Sequence, residues 1–120
     1  MLCKRPSPLA ALALLLIGAS ACASLDTAAL KADAIRRGDE LTVRKQHGLA
    51  AAAYRQAVDA DSQDGPARCR SAQAYAMSGR SAEAATQAVQ AAELLPRDVE
   101  AQLFAGALTL CMSRFVDAAD

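Results

Sequence analysis

The sequence has no tryptophan, and its aromatic residues are confined to Tyr54, Tyr75, Phe104 and Phe115. Histidine occurs once, at His47, so no histidine metal cluster can form, and no cysteine or serine is tied to His47 by spacing. His47 falls at the start of a helix, where a packing role is expected. There is no glycine-rich phosphate loop and no metal-ligand spacing. The cations are scattered, singly or in pairs such as Arg36-Arg37 and Arg44-Lys45, without the basic stripe and interleaved aromatics of a nucleic-acid binder. These absences predict no catalytic residue, no metal, no cofactor and no nucleic acid partner, and the chain is not read as an enzyme. The one long apolar run, residues 9–17, is shorter than the roughly 20 residues a membrane-crossing helix needs.

What is abundant is alanine. It costs no side-chain entropy in a helix and lets helix backbones approach closely, so the composition predicts an all-α fold with a core of small side chains. With 120 residues and a removable leader there is room for one small domain.

The N-terminus has the three-part layout of a secretory signal peptide: Lys4 and Arg5, the apolar run, then Gly18-Ala19-Ser20-Ala21-Cys22. Residues 19–22 resemble the lipobox of bacterial lipoproteins, with Ala19 standing where a larger aliphatic residue is usual. The resemblance implies lipidation of Cys22, a membrane held through that lipid anchor, and, with no Asp after the cysteine, an outer-membrane location facing the periplasm. Ala19-Ser20-Ala21 is also acceptable as an ordinary signal-peptidase site, the alternative reading, which would release a soluble periplasmic protein. Loss of Lys4 and Arg5 leaves 11 basic against 13 acidic residues.

The remainder repeats. In residues 65–98, Ala72, Tyr75, Gly79, Ala84, Ala91 and Pro96 fall at fixed positions; a shift of 34 residues backward brings Gly38, Leu41, Ala50, Tyr54 and Ala57 into register, and forward Gly106, Phe115 and Ala118. Small residues belong where two antiparallel helices cross, and the aromatics fill gaps beside them. Gly79 closes one helix, Ser81 caps the next, Leu95-Pro96 ends it, and Asp98 caps the one after. The expected helices start near Ser24 or Asp26 and run to about residue 45, then span 47–60, 66–78, 81–94, 98–112 and 114 onward.

This pattern resembles the tetratricopeptide repeat (TPR), a helix-turn-helix solenoid, here of about 2.5 repeats. The predicted organisation is a leader at 1–21, a short tether and helix start at 22–30, and repeats at 31–64, 65–98 and an incomplete 99–120. The first repeat has Lys45 where the second has its turn glycine and Ser62 where it has Pro96. No polar cap follows the last repeat, which predicts either a longer array or coverage of Leu103, Phe104, Leu108, Leu110, Phe115 and Val116 by another chain, with self-association as one outcome. Cys69 and Cys111 sit eight repeat positions apart on neighbouring helices, an axial offset of about 12 Å, and are expected to be free thiols.

The resemblance implies a protein-binding scaffold whose groove is lined by the first helix of each repeat. Carried over, the groove comprises Ile35, Arg36, Asp39 and Val43, then Cys69, Arg70, Gln73 and Met77, then Leu103, Phe104, Ala107 and Cys111. Arg36 and Arg70 are the expected polar anchors, and Met77, Leu103 and Phe104 the apolar ones, for a peptide or amphipathic helix of another envelope protein. Asp39 and Gln73 replace the asparagines of chaperone-binding grooves, which disfavours an acidic tail as ligand. The layout is similar to that of lipoproteins assisting pilus or secretion-apparatus assembly.

Overall fold

A computed structural model describes the backbone of residues 8–119 and the side chains of residues 26–119. Five helices, and no strand, are found among the described residues: α1 (Pro8–Val43), α2 (His47–Ala60), α3 (Gly65–Met77), α4 (Ser81–Leu94) and α5 (Val99–Ala119). Consecutive helices pack in chain order, α1 on α2, α2 on α3, α3 on α4 and α4 on α5, giving the all-α TPR-like solenoid the repeat spacing predicts.

The core is built almost wholly from alanine methyls, with two tyrosine rings as its bulk. Ala50, Ala51, Tyr54, Ala74, Tyr75 and Ala84 form its centre, with Leu41 packed against it. A second cluster joins Ala34, Ala57, Val58 and Ala67, and a third joins Ala72, Ala88, Ala92 and Ala105. Each buried carbon contributes about 0.8 kcal/mol, so such a core stabilises through close packing rather than through large side chains. Of the residues in repeat register, Gly38, Ala50, Tyr54, Ala57, Ala72, Tyr75, Ala84 and Ala91 are all buried.

Two helix ends are built alike. The N–H of Gln46 bonds the Leu41 carbonyl at 2.9 Å and that of Arg80 bonds the Tyr75 carbonyl at 2.9 Å, while Lys45 and Gly79 bond three residues back. Both closing residues adopt the left-handed conformation, with φ of 60° at Lys45 and 81° at Gly79. The helices that follow these turns, α2 and α4, both start without a side-chain cap, whereas α3 and α5 each have one. Asp64 caps α3 by accepting from the Ala67 N–H at 3.0 Å, with Pro66 in its first turn, and Asp98 caps α5 by accepting from Ala101 at 3.1 Å. Ser81 does not cap α4: it is the first helical residue, and Arg80 holds the cap position, its guanidinium paired with Glu83 at 2.7 Å and lying 4.9 Å from the Tyr75 ring centre. Pro96 stays exposed in the turn after α4.

Two boundaries depart from the sequence reading. α1 begins at Pro8, not near residue 24 or 26, so residues 22–30, expected as a short tether and helix start, are helical backbone. The Cys22 side chain lies outside the described residues. The second departure is that α5 runs unbroken through Ser113, the position equivalent to Lys45 and Gly79, where a turn was expected. Serine has no glycine-like access to the left-handed region, and its hydroxyl instead donates to the Leu110 carbonyl at 2.9 Å, inside the helix. Phe115 and Ala118 therefore do not fold back to pack: both are exposed, Phe115 by 79%. Gly106 is likewise exposed, and a β-carbon built on it would meet nothing within 4 Å. By length and composition α5 resembles a membrane span, yet Ala105 packs it onto α3 and α4.

Candidate functional site

The first helices of the repeats, α1, α3 and α5, line one face, and the residues between them leave two adjoining cavities. One, of about 360 Å³, is lined by Thr42, Lys45, His47, Tyr54, Met77 and Phe104 together with Arg70 and Gln73. The other, of about 320 Å³, shares Arg70, Gln73 and Phe104 and continues past Cys69 and Ala101 to Asp98 and Glu100. The two form one groove that crosses α3. Of the predicted groove residues, Cys69, Arg70, Gln73, Met77 and Phe104 line it, and Asp39 lines neither cavity. Met77 is 64% exposed and Phe104 half-buried, so the groove presents apolar surface to solvent.

Beside the groove, Asp39 joins the lining residues Tyr54 and Arg70 in a three-residue polar cluster. The Tyr54 hydroxyl donates to Asp39 Oδ1 at 2.6 Å, and Arg70 Nη1 donates to both carboxylate oxygens at 3.2 and 3.3 Å. Thr42 Oγ1 donates to the Gly38 carbonyl at 2.8 Å and stands 3.2 Å from the same hydroxyl. Burial, and then the bond to Asp39, push the Tyr54 hydroxyl above its ordinary pKa. Asp39 thus ties the first repeat to the second, and the expected anchor Arg70 is already ion-paired within the chain.

Arg36, the other expected anchor, is held by its own helix, at 2.7 Å from Asp33 and 2.7 Å from Glu40, and lines neither cavity. Leu103 also lies outside both cavities and is 69% exposed. Ile35 packs against the Ala34 cluster, and Val43, Ala107 and Cys111 are exposed away from the cavities.

Cys69 and Cys111 are free thiols. Partial burial, and then the charges of Asp98 and Glu100, raise the Cys69 pKa. Among the described residues no group of three or more His, Cys, Asp or Glu is placed to hold a metal ion. His47, half-buried at the groove end, has its Nδ1 buried without a hydrogen-bond partner, a contact the repeat register gave no sign of. The register also passed over Lys45, Asp98 and Glu100, which sit at helix ends and reach the groove only because the turns fold towards it.

No family model matches the chain, and no curated protein matches it. Among solved structures, the fold is similar to the TPR2AB-domain:pHSP90 complex of yeast Sti1, with a TM-score of 0.66 at 18% sequence identity. The match covers 96% of this chain and 46% of that one, so this chain spans less than half the length of its structural neighbour. At that identity the likeness is one of fold.

Proposed function

We propose that this chain is a protein–protein interaction scaffold of the bacterial cell envelope, anchored to a membrane through Cys22, that holds a peptide or amphipathic helix of another envelope protein in the groove across α3. The observation that carries the reading is the groove itself: Met77, 64% exposed, and Phe104 face solvent beside a fixed polar cluster. Apolar groups beside a few placed polar ones are what a helix-in-groove or extended-peptide ligand requires. The structural neighbour is a TPR domain solved in a complex with pHSP90, which supports a protein ligand for this fold. The lipobox-like residues 19–22 support the anchor. Assistance to pilus or secretion-apparatus assembly is the finer reading, supported by the layout of a leader followed by a short repeat array.

A photo-crosslinking residue at Gln73, on the groove, should capture one envelope protein, and the same residue at Gln90, on α4, should not. Equal capture at both positions would remove the groove from the account. Intact mass of the protein from detergent-solubilised envelopes tests the anchor: residues 22–120 plus acyl chains is the expected value, and an unmodified mass makes it a soluble periplasmic scaffold.

A second reading has its own observation. Leu103, Leu110, Phe115 and Val116 on α5 are 59% to 79% exposed, more apolar surface than one helix of a monomer ordinarily shows. Stacking of α5 on a second copy would cover it, and a mass that rises with concentration is its signature.

A further inference from the structure

The groove is electrically polarised along its length. At one end stand Lys45 and His47, at the other Asp98 and Glu100, and neither pair lines the cavity of the other. Between them Arg70 is paired with Asp39. The end charges are not consumed in ion pairs: the salt bridges of the described residues include none at Lys45, Asp98 or Glu100, and Asp98 uses one oxygen to cap its own helix. Cys69, on the wall beside them, has its pKa raised by burial first and then by Asp98 and Glu100.

Resting on the groove as binding face, we propose that it selects a dipolar segment: a carboxylate over Lys45 and His47, a cation over Asp98 and Glu100, and an apolar side chain against Phe104 between them. The spacing follows from α3. Cys69 lines the acidic end and Met77 the basic end, and eight residues of helix separate them, about 12 Å at 1.5 Å per residue. An extended ligand rises about 3.3 Å per residue, so its opposite charges fall about three or four residues apart. A uniformly acidic segment would meet Asp98 and Glu100, and a uniformly basic one would meet Lys45. Like charges facing across an interface discriminate more strongly than matched charges attract.

The test is a phage-displayed library of random twelve-residue peptides panned on the folded protein, with Met77→Glu as the counter-selection target. Peptides carrying an acid and a base about three or four residues apart, flanking an apolar residue, are the expected enrichment. Uniformly acidic, uniformly basic or uncharged winners would overturn the inference while leaving the groove as a binding face. No enrichment over Met77→Glu would overturn the groove reading and the inference with it. For an enriched peptide, Lys45→Glu should weaken binding about threefold and Glu100→Lys by a similar factor, as for exposed ion pairs. Reversing the matching charge on the peptide should restore each loss; unchanged affinity in both variants would sink the proposal.

Discussion

Gly38 on α1 lies directly beneath the ring of Tyr54 on α2: a β-carbon there would sit 2.6 Å from Cδ1 and 2.8 Å from Cζ. The ring cannot retreat, because its hydroxyl is bonded to Asp39 at 2.6 Å. Gly38→Ala therefore overpacks the first crossing and should destabilise the fold by about 1–3 kcal/mol despite the better helix propensity of alanine. Gly106 holds the same repeat position on α5 but faces open space. Gly106→Ala should stabilise by up to about 1 kcal/mol. Urea denaturation of both variants checks the opposite signs, and equal effects would mean the third register is packed like the first.

Lys45 and Gly79 close α1 and α3 with the same turn, one of them with a side chain that the left-handed conformation penalises. Lys45→Gly should gain about 1 kcal/mol, and Gly79→Ala should lose a similar amount. Thermal melts should show shifts of about 5 °C in opposite directions.

Lys31 bridges Asp61 at 2.9 Å and Asp64 at 3.2 Å, and that contact ties α1 to the turn between the repeats. The bond from Lys31 holds Asp61 below its ordinary pKa, and Arg36 and Arg80 do the same for Asp33 and Glu83. Groups with depressed folded values add stability that is complete above their unfolded values, near pH 4, and lost as pH falls through the folded ones. Lys31 is raised, so its share is present below its unfolded value and is lost at strongly alkaline pH. The unfolding midpoint should fall on acidification below about pH 4, and less steeply in Asp61→Asn. An identical slope in that variant would show that the bridge is energetically silent.

The two thiols should differ in reactivity. Cys111 is exposed, whereas Cys69 is partly covered and its pKa is raised by burial and by Asp98 and Glu100, which lowers its thiolate fraction at neutral pH. Mass spectrometry after timed alkylation should find Cys111 modified first. Glu100→Gln should speed Cys69 without touching Cys111.

How far the fold could be read in the sequence depended on whether one residue type decided the geometry. The ends of α2 and α4, and the buried small residues Ala50, Ala57, Ala72, Ala84 and Ala91, follow from register, since close crossings admit little else. The turns do not follow so simply. Lys45 reverses the chain and Ser113 does not, although neither is glycine. After Lys45 the chain gains the burial of Ala50, Tyr54 and Ala57, which offsets the strained residue; after Ser113 the nearest large apolar groups are Phe115 and Val116, and continuing the helix keeps its hydrogen bonds at no strain. In the site, Met77 and Phe104 were legible as apolar lining. The pairing of Arg70 with Asp39 was not, because it joins different repeats and depends on how α1 and α3 are angled.

The unbroken course of α1 has a mechanical consequence. A flexible leash would let the groove turn in every direction about a point held at position 22, but here nine residues of helix, about 13 Å, carry the chain from that position to the first repeat without a break. Whatever grips that end also sets the bearing of the groove, as the stem of a bracket sets its shelf, and a kink introduced at Ala28 or Ala29 by proline would swing the whole binding face while leaving its shape intact.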